Sequence, residues 1–74
     1  MNSMNLIVAR NIKRLREEKK LSMDELAKLS GVSKSMLAQV ERGEGNPTLS
    51  TLWKLSSGMK VPFNALTVSP KAPL

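Results

Sequence analysis

The chain of 74 residues contains no cysteine, no histidine and no tyrosine, and its aromatic side chains are Trp53 and Phe63. The lack of thiols excludes disulfide bridges and thiolate metal sites. The lack of imidazole removes the most common general base, so an enzyme would depend on six carboxylates and on lysines. The sequence also has no glycine-rich phosphate loop and no metal-ligand cluster. We therefore predict a protein that is not an enzyme and has neither a cofactor nor a metal site.

Long apolar runs are absent as well. The longest covers residues 6–9, far too short to span a bilayer, and no signal-peptide pattern precedes it. We expect a cytoplasmic protein.

Hydrophobic residues still make up 41% of the chain, which supports one small core, and no segment alternates as a strand would. An all-α bundle is the economical way to bury that core. The narrow apolar stripe of the first helix also favours packing in the bundle over binding to a membrane surface.

Acidic residues are scarce: there are six against twelve basic ones, a net charge of +6. The excess is unevenly placed, with +4 in residues 1–20, −1 in residues 21–45 and +3 in residues 46–74. Such a balance favours a polyanionic partner. On charge alone, a merely solvated surface is an equally good interpretation.

Residues 22–43 have the pattern of two short helices joined by a tight turn. Ser22 and Glu25 form a capping box at the first helix start. Gly31 suits the left-handed residue that ends this helix, and Ser33 suits the N-cap of the second. Gly43 closes the unit as Gly31 closes the first helix. The buried faces consist of residues at helical spacing: Met23, Leu26, Ala27, Ser30, Leu37 and Val40, with Val32 under the turn. This arrangement is a helix-turn-helix.

The pattern Ser22-x-x-Glu25-Leu26-Ala27-x-x-x-Gly31-Val32-Ser33-x-Ser35-x-Leu37-x-x-Val40-Glu41-x-Gly43 resembles the Xre/Cro/lambda-repressor helix-turn-helix family. Two further segments, residues 46–55 and 61–66, resemble the family's fourth and fifth helices. The resemblance therefore covers residues 6–67. It implies a compact five-helix, lambda-repressor-like DNA-binding domain over residues 1–67, followed by a linker-like tail over residues 68–74.

The flanking helices follow from periodicity and capping. After a loose leader over residues 1–5, helix one is predicted over residues 6–19. Helix four is predicted over residues 49–58 behind the N-cap Thr48, with Pro62 at the first position of helix five. The predicted core stripe of helix four consists of Leu49, Leu52, Leu55 and Met59.

Three positions depart from the family. Lys20 and Lys60 stand where the family usually has a glycine that ends a helix. Each lysine is therefore expected to adopt a left-handed conformation, which costs about 1 kcal/mol relative to glycine. Gly58 stands where alanine is usual, and we expect it to weaken helix four by roughly 0.5–1 kcal/mol.

The resemblance places the second motif helix in the major groove. The implied base-reading residues are the side chains that point away from its buried face: Lys34, Ser35, Met36, Ala38 and Gln39. The implied phosphate contacts lie at helix ends, with two helpers on helix one: Ser22, Ser33, Arg42, Asn46, Thr48, Arg10 and Lys13. Met23 is a further departure, because the glutamine usual there contacts the DNA backbone and methionine cannot donate that hydrogen bond.

The resemblance also implies an internal ion pair between Arg16 and Glu41 and a two-fold dimer on a near-palindromic operator. The dimer candidates are Trp53, Pro62, Phe63 and Asn64. The implied function is a sequence-specific transcriptional regulator, acting as repressor or activator on double-stranded DNA. The alternative is a protein-binding helix-turn-helix module that holds an antirepressor or part of the transcription machinery; the near-neutral motif and exposed apolar residues favour it.

Residues 46–55 look most like the cupin-linked subset of the family, in which a C-terminal sensor domain follows. The chain is then either a minimal regulator or the N-terminal domain of a longer parent protein, and the sequence does not decide between them.

Overall fold

The computed structural model describes residues 3–68, which form five helices and no strand. They are α1 (Ser3–Glu18), α2 (Met23–Ser30), α3 (Lys34–Glu41), α4 (Leu49–Met59) and α5 (Asn64–Thr67). The all-α, five-helix prediction is confirmed. No helix in this described part of the chain has both the length and the apolar character that crossing a bilayer requires.

Local hydrogen bonds set the helix starts as predicted. The Glu25 amide donates to Ser22 Oγ at 3.0 Å and the Ser22 amide donates to Glu25 Oε1 at 2.8 Å, which completes the capping box. Ser33 Oγ accepts from the Met36 amide at 3.1 Å. Thr48 Oγ1 caps α4 in the same way. These bonds satisfy amides that a helix leaves without partners at its first turn.

One apolar core joins the helices, with α2 packed on α4 and α1 packed on α3 and α5. Its side chains are Val8, Ile12, Leu15, Leu26, Val32, Leu37, Val40, Leu52, Leu55, Met59 and Leu66. Leu49 was predicted in this core, and that prediction is wrong, since Leu49 is 68% exposed. It lies one turn before Trp53 and shares the exposed side of α4 rather than the side of Leu52.

α1 begins earlier than its sequence predicted, because Ser3–Asn5 are helical rather than a loose leader. Asn5 Nδ2 donates to the Gly45 carbonyl at 2.7 Å, and this contact across the fold anchors the first turn. Residues 1 and 2 of the predicted leader lie outside the described part of the chain. The same holds for residues 69–74 of the predicted tail.

α4 approaches α2 closely at Gly58. A Cβ placed on it would lie 2.9 Å from both the Cα and the backbone nitrogen of Ser30, closer than such atoms approach. The absent side chain therefore permits the helix contact, a packing role that the expected weakening of α4 did not include. α4 continues through Gly58 to Met59.

The lysines at the ends of α1 and α4 adopt the predicted left-handed conformation, with φ of 57° at Lys20 and 58° at Lys60. Pro62 does not open α5 as predicted. It precedes the helix by two residues, and its carbonyl accepts the Ala65 amide at 2.9 Å. The helical backbone therefore begins with Phe63, which leaves Pro62 in the connection.

Asn11 connects α1 to the end of α5. Its side chain is fully buried, and Nδ2 donates to the Leu66 carbonyl at 2.8 Å and to the Val68 carbonyl at 2.9 Å. These carbonyls lie where a helix leaves acceptors without partners. Asn11 thus ties α5 and Val68 to α1.

Candidate nucleic-acid interface

The turn between α2 and α3 is held by one buried hydroxyl and one left-handed glycine. Ser30 Oγ donates to the Leu26 carbonyl at 2.7 Å and accepts from the Val32 amide at 3.2 Å. Gly31 has φ of 77°, a conformation that glycine adopts without strain. The two helices therefore leave the turn at a defined angle, which sets what α3 presents to solvent.

The exposed side of α3 carries most of the predicted base-reading residues. Leu37 and Val40 are buried against the core, so the opposite side faces solvent. The exposed side chains there are Lys34, Ser35, Met36 and Gln39, with Ala38 half-buried beside them. The structure thus brings an ammonium, a hydroxyl, an amide and two apolar groups to one short helix surface.

Three predicted phosphate contacts are the N-cap hydroxyls of the motif helices and α4. Ser22, Ser33 and Thr48 each accept an amide of their own helix. A hydroxyl that accepts a cap bond keeps its own proton and can donate it to a phosphate oxygen. Asn46 is exposed, and its Oδ1 accepts from Asn5 Nδ2 at 3.3 Å.

The predicted helpers Arg10 and Lys13 lie on the exposed side of α1. They belong to a separate helix from the α3 surface and form no part of the α2–α3 turn.

Arg16 and Glu41 lie together between α1 and the end of α3. Arg16 Nε donates to Glu41 Oε2 at 2.7 Å and Nη2 donates to Oε1 at 3.1 Å. The remaining nitrogen donates to the Leu21 carbonyl at 2.9 Å. The hydrogen bonding of Arg16 to the Glu41 carboxylate is the main reason that the pKa of Arg16 is raised above its ordinary value, although burial opposes it. This two-bond pair orients α3 relative to α1.

Two predicted DNA contacts are themselves paired with carboxylates, which the sequence reasoning missed. Lys34 Nζ lies 3.2 Å from Asp24 Oδ1, and Arg42 Nη2 lies 3.2 Å from Glu44 Oε1. The spacing of Arg42 and Glu44 in the sequence was a usable signal. Asp24 and Lys34 belong to different helices, so only the folded turn brings them together.

The predicted dimer candidates include an aromatic contact at the surface. The rings of Trp53 and Phe63 lie 4.9 Å apart between centroids, at 31°. Trp53 is 57% exposed, and Pro62 and Asn64 are exposed on either side of Phe63. Leu49, one turn before Trp53, extends this apolar patch and was missed because its spacing matched the core stripe.

Comparison with known proteins identifies similar chains. A helix-turn-helix family model, HTH_3, matches residues 12–66. The HTH-type transcriptional regulator SutR of Escherichia coli (strain K12) is 39% identical over 72 residues, which are 97% of this chain and 40% of that protein. The chain therefore spans about two fifths of the length of this relative. The uncharacterized HTH-type transcriptional regulator y4dJ of Sinorhizobium fredii is 41% identical over 58 residues, 78% of this chain and 75% of that protein.

Solved structures show the same architecture. An HTH_3 family transcriptional regulator from Vibrio cholerae matches with a TM-score of 0.84 and 47% identity over 86% of this chain and 36% of that one. The restriction-modification controller protein C.AhdI from Aeromonas hydrophila matches with a TM-score of 0.83 and 31% identity. That match covers 88% of this chain and 98% of C.AhdI.

Proposed function

Because the chain belongs to the HTH_3 helix-turn-helix family, we propose that it is the sequence-specific DNA-binding domain of a transcriptional regulator. The observation that carries the proposal is the exposed side of α3, which follows the N-cap Ser33 and carries polar side chains. α3 lies in the major groove, and its first residues meet the base edges.

Each exposed group of α3 has a matching feature on a base pair. The Lys34 ammonium donates to guanine O6 and N7, and the Gln39 amide pairs with adenine N6 and N7. Ser35 can donate or accept. Met36 and Ala38 suit the methyl group of thymine. These side chains supply the sequence preference of the domain.

Phosphates position the domain without adding sequence information. The hydroxyls of Ser22, Ser33 and Thr48 lie at helix N-termini, where the macrodipole favours an anion. Arg42 and Asn46 stand at the end of α3 and in the loop after it, and Arg10 and Lys13 add basic charge on α1. The Met23 side chain donates no hydrogen bond to the DNA backbone. The hydroxyls therefore contribute a larger share of the phosphate contacts.

A homodimer on a near-palindromic operator is the second part of the proposal. A single α3 reads a short half-site. A two-fold dimer reads two half-sites, whose centres lie about one turn of the DNA helix apart. The surface we assign to it is the patch around Trp53, Phe63 and Leu49, with Pro62 and Asn64 at its edge. Exposed apolar patches of this kind mark protein interfaces.

The competing function is a protein-binding module of the same fold. Its support is that Lys34 and Arg42 are paired with carboxylates, so that the motif carries little free positive charge. A C-terminal sensor domain in a longer parent protein and a cytoplasmic location stay predictions.

The test is selection of bound duplexes from a randomised DNA pool at near-physiological salt. The proposal predicts enrichment of a two-fold symmetric motif whose half-site spacing matches a dimer. Binding of the enriched duplex should weaken steeply with salt, because phosphate contacts release counterions. No enrichment, or binding insensitive to salt, would favour the protein-binding module instead.

A further inference from the structure

We propose that Asp24 is a specificity-determining residue of the DNA interface. Its carboxylate holds the Lys34 ammonium and so suppresses binding to phosphates while still allowing Lys34 to read guanine. The inference rests on the proposed function and deepens it. Asp24 is not one of the predicted DNA contacts, and the inference gives it a role at the same interface. The contact that supports it is the 3.2 Å pair between Asp24 Oδ1 and Lys34 Nζ.

The two residues are held face to face by rigid elements. Asp24 lies in the first turn of α2 and Lys34 is the first residue of α3. The caps Ser22 and Ser33 fix both helix starts. The side chains are 62% exposed for Lys34 and 70% for Asp24, so a duplex docked on α3 reaches the pair directly.

The other acidic residues of the motif bind partners that are not predicted to read bases. Glu25 completes the capping box, Glu41 binds Arg16 inside the fold, and Glu44 pairs with Arg42 two residues away. Asp24 is the carboxylate that joins α2 to a base-reading side chain of α3. An exposed pair of this kind contributes little to folding, so its main effect falls on what Lys34 can bind.

The number of donors on an ammonium explains the discrimination. Lysine carries three N–H donors. One can stay on Asp24 while the other two reach O6 and N7 of a guanine, which are neutral acceptors. A phosphate is an anion, and it is repelled by the carboxylate that already holds the lysine. Asp24 therefore weakens contact with DNA of any sequence more than it weakens contact with the correct site.

The experiment measures affinity for two duplexes at several salt concentrations. One is the duplex that the wild-type chain selects from a randomised pool, and the other is a scrambled duplex of equal composition. For Asp24→Asn we expect about three- to tenfold tighter binding of the scrambled duplex, with a salt slope steeper by about one counterion. The selected duplex should change by less than about twofold, because its guanine contact already coexists with Asp24.

Two controls isolate the pair. Glu17→Gln removes the same charge from an exposed position on α1, and it should shift both duplexes equally and slightly. Lys34→Met removes the partner, and in that background Asp24→Asn should lose its selective gain on the scrambled duplex. Asp24→Ser repeats the test with a second uncharged polar side chain.

The outcomes separate the two proposals. Equal gains on both duplexes, or a gain that persists with Lys34→Met, overturn the role of Asp24 while the wild-type chain still selects a site. If the wild-type chain selects no duplex, the proposed function fails and this inference fails with it.

Discussion

The inner and outer sides of the helix-turn-helix use ion pairs differently. On the inner side, Arg16 and Glu41 are nearly enclosed, with 14% and 5% of their side chains exposed, and two hydrogen bonds join them. On the outer side, the Asp24–Lys34 pair and the Arg42–Glu44 pair are more than half exposed. Two hydrogen bonds hold the inner pair in one geometry with little exposure to water, and the outer pairs can exchange partners.

The difference separates orientation from recognition. A buried pair is costly to break because the remaining charge has no water to solvate it. An exposed pair is screened and is close to neutral for stability. The inner pair therefore suits the task of fixing α3 on α1, and the outer pairs suit a surface on which ligand atoms replace or share protein partners.

The largest expected effect comes from breaking the inner pair. Glu41→Gln should destabilise the fold by about 3 kcal/mol, because the Arg16 charge is left without its carboxylate in a nearly closed site. Urea denaturation followed by circular dichroism measures the change. Glu44→Gln, which breaks an exposed pair, is the matched control and should change stability by less than about 0.5 kcal/mol. Equal effects of the two variants would contradict the division between inner and outer sides.

A second prediction concerns the close contact between Gly58 of α4 and Ser30 of α2. Gly58→Ala should destabilise the fold by about 1–3 kcal/mol, because the new methyl group meets the backbone of Ser30 and the helices must separate. Ser57→Ala, at the exposed neighbouring position of α4, should be neutral or slightly stabilising, since alanine favours a helix. A Gly58→Ala variant more stable than the wild type would show that low helix propensity, and not the contact with Ser30, is the main effect of Gly58.

A third prediction addresses the outer side alone. Gln39→Ala should leave stability within about 0.5 kcal/mol of the wild type. The loss of its amide should reduce discrimination between half-site variants by about 1–3 kcal/mol. Affinity for a panel of single-base variants of the selected duplex measures this. An unchanged preference across the panel would remove Gln39 from the reading surface.

Features set by neighbouring residues were predictable from the sequence. The capping box and the cap at Thr48 depend on residues three positions apart, and Gly31 needs only its own backbone conformation. The left-handed lysines and the Arg16–Glu41 pairing followed from the family resemblance rather than from periodicity. For the interface, the exposed character of α3 followed from the spacing of Leu37 and Val40.

Features set by distant residues were not predictable. Asn11 binds carbonyls 55 and 57 residues away, and nothing in the residues around Asn11 indicates those partners. The approach of Gly58 to Ser30 depends on how two helices cross. Leu49 matched a core spacing, and only the packed orientation of α4 places it outside.

The smallest expected effect tests the cost of a lysine at a helix end. Lys20 has φ of 57°, so Lys20→Gly should relieve side-chain strain and stabilise the fold by about 0.5–1 kcal/mol. The gain is limited, because the lysine charge interacts favourably with the C-terminal dipole of α1. Lys20→Asn separates the two contributions, since asparagine tolerates this conformation but carries no charge.

The neighbouring position supplies the control for that test. Lys19 is not in the left-handed region, so Lys19→Gly should lose stability through added freedom of the unfolded chain. Thermal melting of the four chains ranks them. If Lys20→Gly melts no higher than Lys19→Gly, backbone strain at Lys20 is too small to matter. The positive charge at the end of α1 then comes at no cost to the scaffold that holds the reading surface.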